Sequence, residues 1–134
     1  MRKRLLDEAN VKVDPPPCVG DQTTGCANVV GLPEKALDYL KDLTASVGPL
    51  VMTGGTEGGH SSHGEGQAVF DLRYQPGSKL ETYIQRLAQS GGRIEQREFG
   101  GDPKAILYYM PDSTLFAKHG KKDGTAVHWH VEVN

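Results

Sequence analysis

Four of the five histidines lie in two short clusters of the sequence. In the first, His60 and His63 belong to a glycine-rich segment and precede a strand-like run that carries Asp71. The second is the closing stretch "AVHWHVEVN", with His128 and His130. Imidazole and carboxylate groups bind zinc, and three such ligands leave a fourth position open for water or substrate. Because zinc in that arrangement activates water near neutral pH, these residue types predict hydrolytic metal chemistry.

The closing stretch has the alternation of a strand. His128, His130 and Glu132 would share one polar face, and Trp129 would lie on the opposite, apolar face. An H-x-H pair alone is weak evidence for a metal, but an aspartate on a second strand strengthens it. The alternative is a metal-free structural domain, with a glycine loop and an ordinary last strand.

Helical and strand patterns around these clusters predict a single α+β domain. Two helices are predicted, over 32–47 and over 78–90, the second opened by a Ser78–Glu81 capping box. Strands are predicted at 49–53, 67–74, 93–99, 105–110 and 126–133, and 114–119 is either a short strand or irregular. We therefore expect a small antiparallel sheet with two main helices packed on one side and the zinc site on the sheet. Residues 1–31 are expected to form an N-terminal arm, and residues 32–134 the domain itself.

Composition narrows the class of partner. The 134 residues are enough for one domain, and the formal net charge of −2 offers no basic excess for binding nucleic acid. No run of about 18 apolar residues is present, so no membrane span is predicted. The opening "MRKRLL" resembles the start of a signal peptide, but no apolar core follows it. A monomer is expected.

Cys18 and Cys26 are the two cysteines, and they bracket a turn-rich, polar loop. Their separation is larger than in the usual zinc-binding C-x₂₋₄-C pairs, so zinc is not their expected ligand. We predict a disulfide between them, with two free thiols as the alternative. A disulfide would place the protein outside the reducing cytosol.

Two of these stretches resemble a known family. "SSHGEGQAVFDL" is similar to the S-x-H-x-x-G-x-A-x-D-[LI] signature of the zinc D-Ala-D-Ala carboxypeptidases. This M15-type peptidase family includes L-alanyl-D-glutamate endolysins and shares its fold with hedgehog signalling domains. "HWHVEV" resembles the closing H-x-H strand of the family, and the likeness covers residues 32–134 with the elements in the same order. It implies a zinc peptidase that cleaves peptidoglycan stem peptides, in an extracytoplasmic or cell-wall location.

The resemblance also implies a role for each matching residue. His63, Asp71 and His130 would be the ligands of Zn²⁺. His128 would face the reacting carbonyl and stabilise the oxyanion or transfer a proton. Glu132 lies on the same face of the last strand and would be a hydrogen-bonding partner of a ligand.

The sequence departs from the family pattern at the aspartate and at the general base. His63 and Asp71 are eight residues apart where the family has seven, and a β-bulge near residues 69–70 would restore the facing of Asp71. The acidic residue that the family places three positions before the last histidine is replaced by Val127. The base is therefore left open between His128, Asp123 and Glu57.

Substrate recognition is the third departure, because the arginine that often holds a substrate carboxylate has no counterpart in "VMTGGTEGG". The weak candidates for binding substrate are His60, Glu57 and Arg73. His60 would line the cleft, replace His63 as ligand, or be a loop histidine in water. Arg73 would either orient Asp71 or bind substrate. These departures leave a second function possible, a zinc-containing module that binds a cell-wall peptide or a protein without cleaving it. The remaining histidine, His119, is expected on the surface.

Overall fold

The computed structural model describes residues 1–57 and 63–134, in which three helices and seven strands are found. The helices are α1 (Arg2–Ala9), α2 (Glu34–Val47) and α3 (Lys79–Gln89). The strands are β1 (Val11–Val13), β2 (Leu50–Gly54), β3 (Val69–Arg73), β4 (Arg93–Phe99), β5 (Asp102–Tyr109), β6 (Leu115–His119) and β7 (His128–Glu132). The chain divides into two compact units, Met1–Leu72 and Arg73–Asn134.

The first unit is built on α2 and the β1–β2 pair. Helix α2 follows Pro33 and buries an apolar stripe that includes Leu37, Leu40 and Leu43, at the spacing of one helix face. It ends at Gly48, whose φ of +87° belongs to the region that favours glycine. Strand β1 pairs with β2 in parallel, so part of the segment 1–31 contributes directly to the sheet.

The second unit packs α3 against a meander of four strands. Ser78 caps α3 as predicted, because its Oγ accepts a hydrogen bond from the backbone N–H of Glu81 at 3.2 Å. The reciprocal bond of a capping box is replaced, since Glu81 Oε1 accepts from the N–H of Gly77 at 3.0 Å and the N–H of Ser78 donates to Gln75. Trp129 is fully buried and makes edge-to-face contacts with three aromatic rings. These are Tyr74, Tyr108 and Phe116, with ring centroids 5.7, 5.7 and 6.2 Å away. This apolar layer is the opposite face of β7 from its histidines, as strand alternation requires.

Over the described residues the strands belong to one sheet in the order β1-β2-β3-β7-β6-β5-β4. The β1–β2 pair is parallel, whereas the β2–β3, β4–β5, β5–β6 and β6–β7 pairs are antiparallel. The α+β prediction is confirmed. The sheet is larger than expected and mixed rather than antiparallel, because the segment before residue 32 adds a parallel edge strand. That segment also adds the third helix.

The predicted disulfide is present. Cys18 and Cys26 are bonded with an S–S distance of 2.04 Å. A disulfide of this kind persists in an oxidising, extracytoplasmic compartment. Within the described residues, no helix has the length and apolar character needed to cross a membrane.

Candidate metal centre

Asp71 lies on β3 opposite a register irregularity of β2. Met52 pairs with Leu72 and Gly54 pairs with Asp71, so β2 has one more residue than β3 across this step. The expected bulge near Val69 is therefore not the irregularity that the pairing shows, which lies on the facing strand. A bulge in either strand changes the direction in which nearby side chains point, because the extra residue shifts the in-and-out alternation of one strand relative to the other.

Gly54 gives the Asp71 carboxylate its space. A Cβ on residue 54 would lie 2.7 Å from Asp71 Oδ2 and 3.0 Å from Glu57 Oε2. A separation of 2.7 Å is closer than real Cβ atoms approach, so a side chain at position 54 would require the Asp71 carboxylate to shift. The lack of a side chain on Gly54 thus gives these two acidic side chains room beside the backbone.

His63 is held in the tautomer that a metal ligand needs. Its Nδ1 donates a hydrogen bond to the carbonyl oxygen of Gly55 at 2.7 Å. In the neutral ring this leaves the lone pair on Nε2, which lies 3.4 Å from Asp71 Oδ1. The two side chains are only 5% and 18% exposed. A lone pair facing a carboxylate oxygen in such a setting is stabilised by a cation, either a proton or a metal ion.

His130, in the second unit, has a carboxylate partner. Its Nε2 donates to Glu132 Oε2 at 2.8 Å, and the histidine side chain is 5% exposed. Both residues lie on β7 two positions apart, so they share a face. A carboxylate that orients a histidine ring in this way is a common partner of a metal ligand. The contact agrees with the role expected for Glu132.

The three predicted ligands come together. His63, Asp71 and His130 each offer one ligand atom, and these atoms all lie within 4.8 Å of one another. Ligand atoms around a four-coordinate zinc ion are roughly 3.3 Å apart, given zinc–ligand bonds of about 2.0–2.2 Å. Nε2 of His63 and Oδ1 of Asp71, which are 3.4 Å apart, already have this spacing. The group can hold a metal ion, as the sequence predicted.

His128 lies on the same face of β7 as His130 and is partly exposed. Its Nδ1 is 3.3 Å from the carbonyl oxygen of Ala126, which is long for a hydrogen bond. Its ring centroid is 4.5 Å from that of His119, which faces it across the β6–β7 pair. The candidate catalytic histidine therefore has a second histidine beside it.

His119 was expected on the surface, but it is half-buried and both of its ring nitrogens are inaccessible to solvent. The Phe99 ring lies edge-on to it, with centroids 5.1 Å apart, and also lies 5.2 Å from the His130 ring. The position of His119 could not be predicted because the pairing of β6 with β7 is not evident from the sequence. A strand at 114–119 in register with the last strand would have placed His119 opposite His128.

The β4–β5 turn lies directly against His119. A Cβ on Gly100 would be 2.7 Å from His119 Cε1, and Gly100 has a φ of +60°. The Asp102 carboxylate accepts hydrogen bonds from the backbone N–H groups of Gly120 and Lys104, each at 2.9 Å. These bonds lower the pKa of Asp102 and tie the turn to the end of β6. Phe99, Gly100 and Asp102 thus form one wall beside the histidines, which sequence patterns did not indicate.

The remaining predicted residues are not members of the group of three, and one of them lies outside the described residues. Glu57 is buried, and its Oε1 accepts the backbone N–H groups of Gly55 and Asn28. Asp123 is exposed and binds the N–H and hydroxyl of Thr125, which lowers its pKa. Arg73 is exposed at the end of β3, and His60 is not among the described residues.

No protein-family model matches the chain, and no curated protein or solved structure matches it significantly. The resemblance to the zinc peptidases therefore stays a prediction from two motifs. The chemistry has to be inferred from the site itself.

Proposed function

We propose that the protein is a zinc-dependent peptidase that acts on peptidoglycan stem peptides. The observation that carries the proposal is the convergence of His63, Asp71 and His130. Two imidazoles and one carboxylate are a donor set typical of catalytic zinc, whereas magnesium and calcium prefer oxygen ligands alone. The resemblance of the two histidine motifs and the extracytoplasmic character of the disulfide support a cell-wall substrate and a location at the cell wall.

Each side chain has a definite task in this proposal. Bound zinc would supply Lewis-acid polarisation of the scissile carbonyl and a water acidic enough to attack it near neutral pH. His128 lies two residues from the ligand His130 on the same face, where it would donate a hydrogen bond to the developing oxyanion. Glu132 would hold the ring of His130 in place.

Metal analysis combined with an activity assay tests the proposal. Purified protein should bind about one zinc ion per chain and release new termini from a muropeptide, and chelation should abolish both. Asp71→Asn should lose zinc, because an amide is a much poorer ligand than a carboxylate. Asp42→Asn, an exposed change on α2, is the matched control and should behave as wild type. Zinc-free wild-type protein that stays zinc-free after incubation with the metal would rule the proposal out.

A second candidate is a zinc-containing module that binds a cell-wall peptide or a protein without cleaving it. Val127 at the family's acidic position favours it, since the other base candidates Asp123 and Glu57 are already engaged in local hydrogen bonds. Incubation with a muropeptide separates the two. Binding without new termini, unchanged in His128→Ala, supports the module, whereas cleavage that His128→Ala abolishes supports the peptidase.

A further inference from the structure

Glu57 is a buried carboxylate that is not one of the three converging ligands. Its residue exposure is 4%, and Oε1 accepts hydrogen bonds from Gly55 N–H at 2.8 Å and from Asn28 N–H at 3.1 Å. Burying a carboxylate is costly unless such bonds compensate it. The same oxygen therefore joins two separate backbone segments of the first unit.

The Gly55 residue connects Glu57 to a metal ligand. Its N–H is bound by Glu57, and its carbonyl oxygen receives the hydrogen bond from His63 Nδ1 at 2.7 Å. That second bond fixes the ring and leaves its Nε2 directed at Asp71. A displacement of Gly55 would therefore be transmitted to the ligand nitrogen.

The segment around Gly55 is fastened to a second stretch of backbone. Thr56 N–H donates to the carbonyl oxygen of Asn28 at 2.6 Å, and its hydroxyl donates to that of Val30 at 2.7 Å. A Cβ on Gly55 would collide with the same Asn28 carbonyl. Since Glu57 binds Asn28 N–H as well, it closes a small hydrogen-bonded ring that sets where Gly55 lies.

We propose that Glu57 is a positioning residue of the metal centre, which holds His63 in its ligating orientation through the backbone of Gly55. This inference rests on the proposed metal site. The role requires an acceptor oxygen at the reach of a glutamate side chain and does not require a negative charge. It concerns metal affinity and is independent of whether a peptide is cleaved.

Two substitutions with opposite consequences test the role. Glu57→Gln keeps the length and an acceptor oxygen but removes the charge, whereas Glu57→Asp keeps the charge and shortens the reach. We expect the glutamine variant to bind zinc or Co²⁺ within about two-fold of wild type. The aspartate variant should bind about 10- to 100-fold more weakly, which is the usual effect of losing an outer contact to a ligand. The visible spectrum of bound Co²⁺ should change in the aspartate variant alone.

Glu65→Gln and Glu65→Asp are the matched controls, because Glu65 is an exposed glutamate of the same unit. Both should bind the metal as wild type does. The role of Glu57 is refuted if Glu57→Asp keeps wild-type affinity, or if Glu57→Gln loses as much as Glu57→Asp. Wild-type protein that binds neither metal overturns the proposed metal site itself, and this inference with it.

If the Glu57→Asp variant does not fold, amide hydrogen exchange tests the positioning role of Glu57 instead. Because Glu57, Gly55 and His63 form one hydrogen-bonded chain, bound zinc should slow the exchange of the Gly55 and Asn28 amides by about ten-fold or more in wild type and Glu57→Gln. Exchange at these two amides that is indifferent to zinc, while zinc demonstrably binds, overturns the positioning role and leaves the metal site standing.

Discussion

At the scale of residues, the candidate site depends on which atom of each histidine carries the proton. Gly55 accepts from Nδ1 of His63 and Glu132 accepts from Nε2 of His130, so the two rings would present opposite nitrogens as ligands. A neutral imidazole has a single lone pair, and its hydrogen-bonding partner decides where that lone pair lies. The hydrogen-bonding partners of the two rings therefore leave Nε2 of His63 and Nδ1 of His130 as the nitrogens that could bind a metal ion.

Phe99 gives the first prediction at this scale. Its ring contacts those of His119 and His130, and it is partly buried. Phe99→Ala should lower the free energy of unfolding by about 1–3 kcal/mol, somewhat less than for a fully buried phenylalanine. Chemical denaturation measures the change. Ile94→Ala, on the same strand but 44% exposed, should cost much less, and an equal loss in both variants would contradict the contact.

At the scale of elements, α2, α3 and most strands could be predicted because their causes are local. Apolar residues recur at helical spacing in both helices, and glycines or a cap mark their ends. Helix α1 buries Leu5 and Ala9 alone, so its pattern is too sparse to separate helix from strand. The burial of His119 depends on the register of β6 with β7, which is a tertiary property.

The β4–β5 turn gives a prediction at this scale. Gly100 and Gly101 have φ values of +60° and +85°, so alanine at either position strains the backbone. A Cβ on Gly100 would also meet His119, whereas a Cβ on Gly101 would have no described atom within 4 Å. Gly100→Ala should therefore destabilise by clearly more than the roughly 1 kcal/mol expected for Gly101→Ala. Thermal melts of both variants measure the difference, and equal losses would show that His119 does not lie where we describe it.

An ion pair connects α3 to β6. Glu81 Oε2 lies 3.1 Å from Lys118 Nζ, and both side chains are largely buried. Burial alone would raise the pKa of Glu81, but the N–H of Gly77 together with Lys118 and Tyr74 lowers it overall. For Lys118, burial lowers the pKa and the Glu81 carboxylate raises it, with a net rise.

The sign of the pH dependence follows from these shifts. A carboxyl with a depressed pKa stabilises the fold above its unfolded value near 4.5 and loses that contribution as pH falls through the folded value. A lysine with a raised pKa stabilises below its unfolded value near 10.5 and loses that contribution as pH rises further. The pair therefore stabilises the fold over the interval between them.

Glu81→Gln tests this pair. Wild type should be more stable than the variant at pH 7, and the difference should shrink as the pH falls below the ordinary value of 4.5 and through the lower pKa of Glu81 in the folded protein. Unfolding free energies measured from pH 7 to pH 3 give the comparison. Glu8→Gln is the control, because the pKa of Glu8 is also lowered, mainly by its bond to Arg4, but the side chain is exposed. A wild-type advantage over Glu81→Gln that is constant across this range would contradict the account.

At the scale of the whole molecule, the disulfide stabilises the fold only in an oxidising compartment, where it persists. Cys18 and Cys26 are eight residues apart, and closing a loop of that length stabilises a fold by about 2.5 kcal/mol in the chain-entropy model. The backbone N–H of Cys18 also donates a hydrogen bond to Asn28 Oδ1 at 3.0 Å. The backbone N–H of the same Asn28 is bound by Glu57. The loop therefore supports the same segment as the metal centre.

The double variant Cys18→Ser, Cys26→Ser tests the disulfide. It should lower the free energy of unfolding by about 2–3 kcal/mol relative to the oxidised protein. Denaturation with and without a reducing agent provides the comparison, since the reductant should destabilise wild type and leave the double variant unchanged. A double variant as stable as the oxidised protein would show that the loop is held by its hydrogen bonds alone.

The convergence of His63, Asp71 and His130 could be expected from the resemblance of two short motifs to the zinc peptidases. Residue patterns alone left His60 and His63 as alternatives, and strand alternation indicated only which side chains of the last strand share a face. The wall of Phe99 and Gly100, and the hydrogen-bonded ring of Glu57, could not be predicted in this way. Both features depend on contacts between segments that are far apart in the sequence. Phenylalanine, glycine and glutamate are also common residues, which do not by themselves indicate a site.

Crystals of the protein grown with zinc and measured on both sides of the zinc absorption edge test the central claim most directly. We predict one strong anomalous peak at about 2.0–2.2 Å from Nε2 of His63, from a carboxylate oxygen of Asp71 and from a ring nitrogen of His130. The account is contradicted if the crystals show no such peak, or if the only zinc lies at His119 and His128 with His63 and Asp71 uncoordinated.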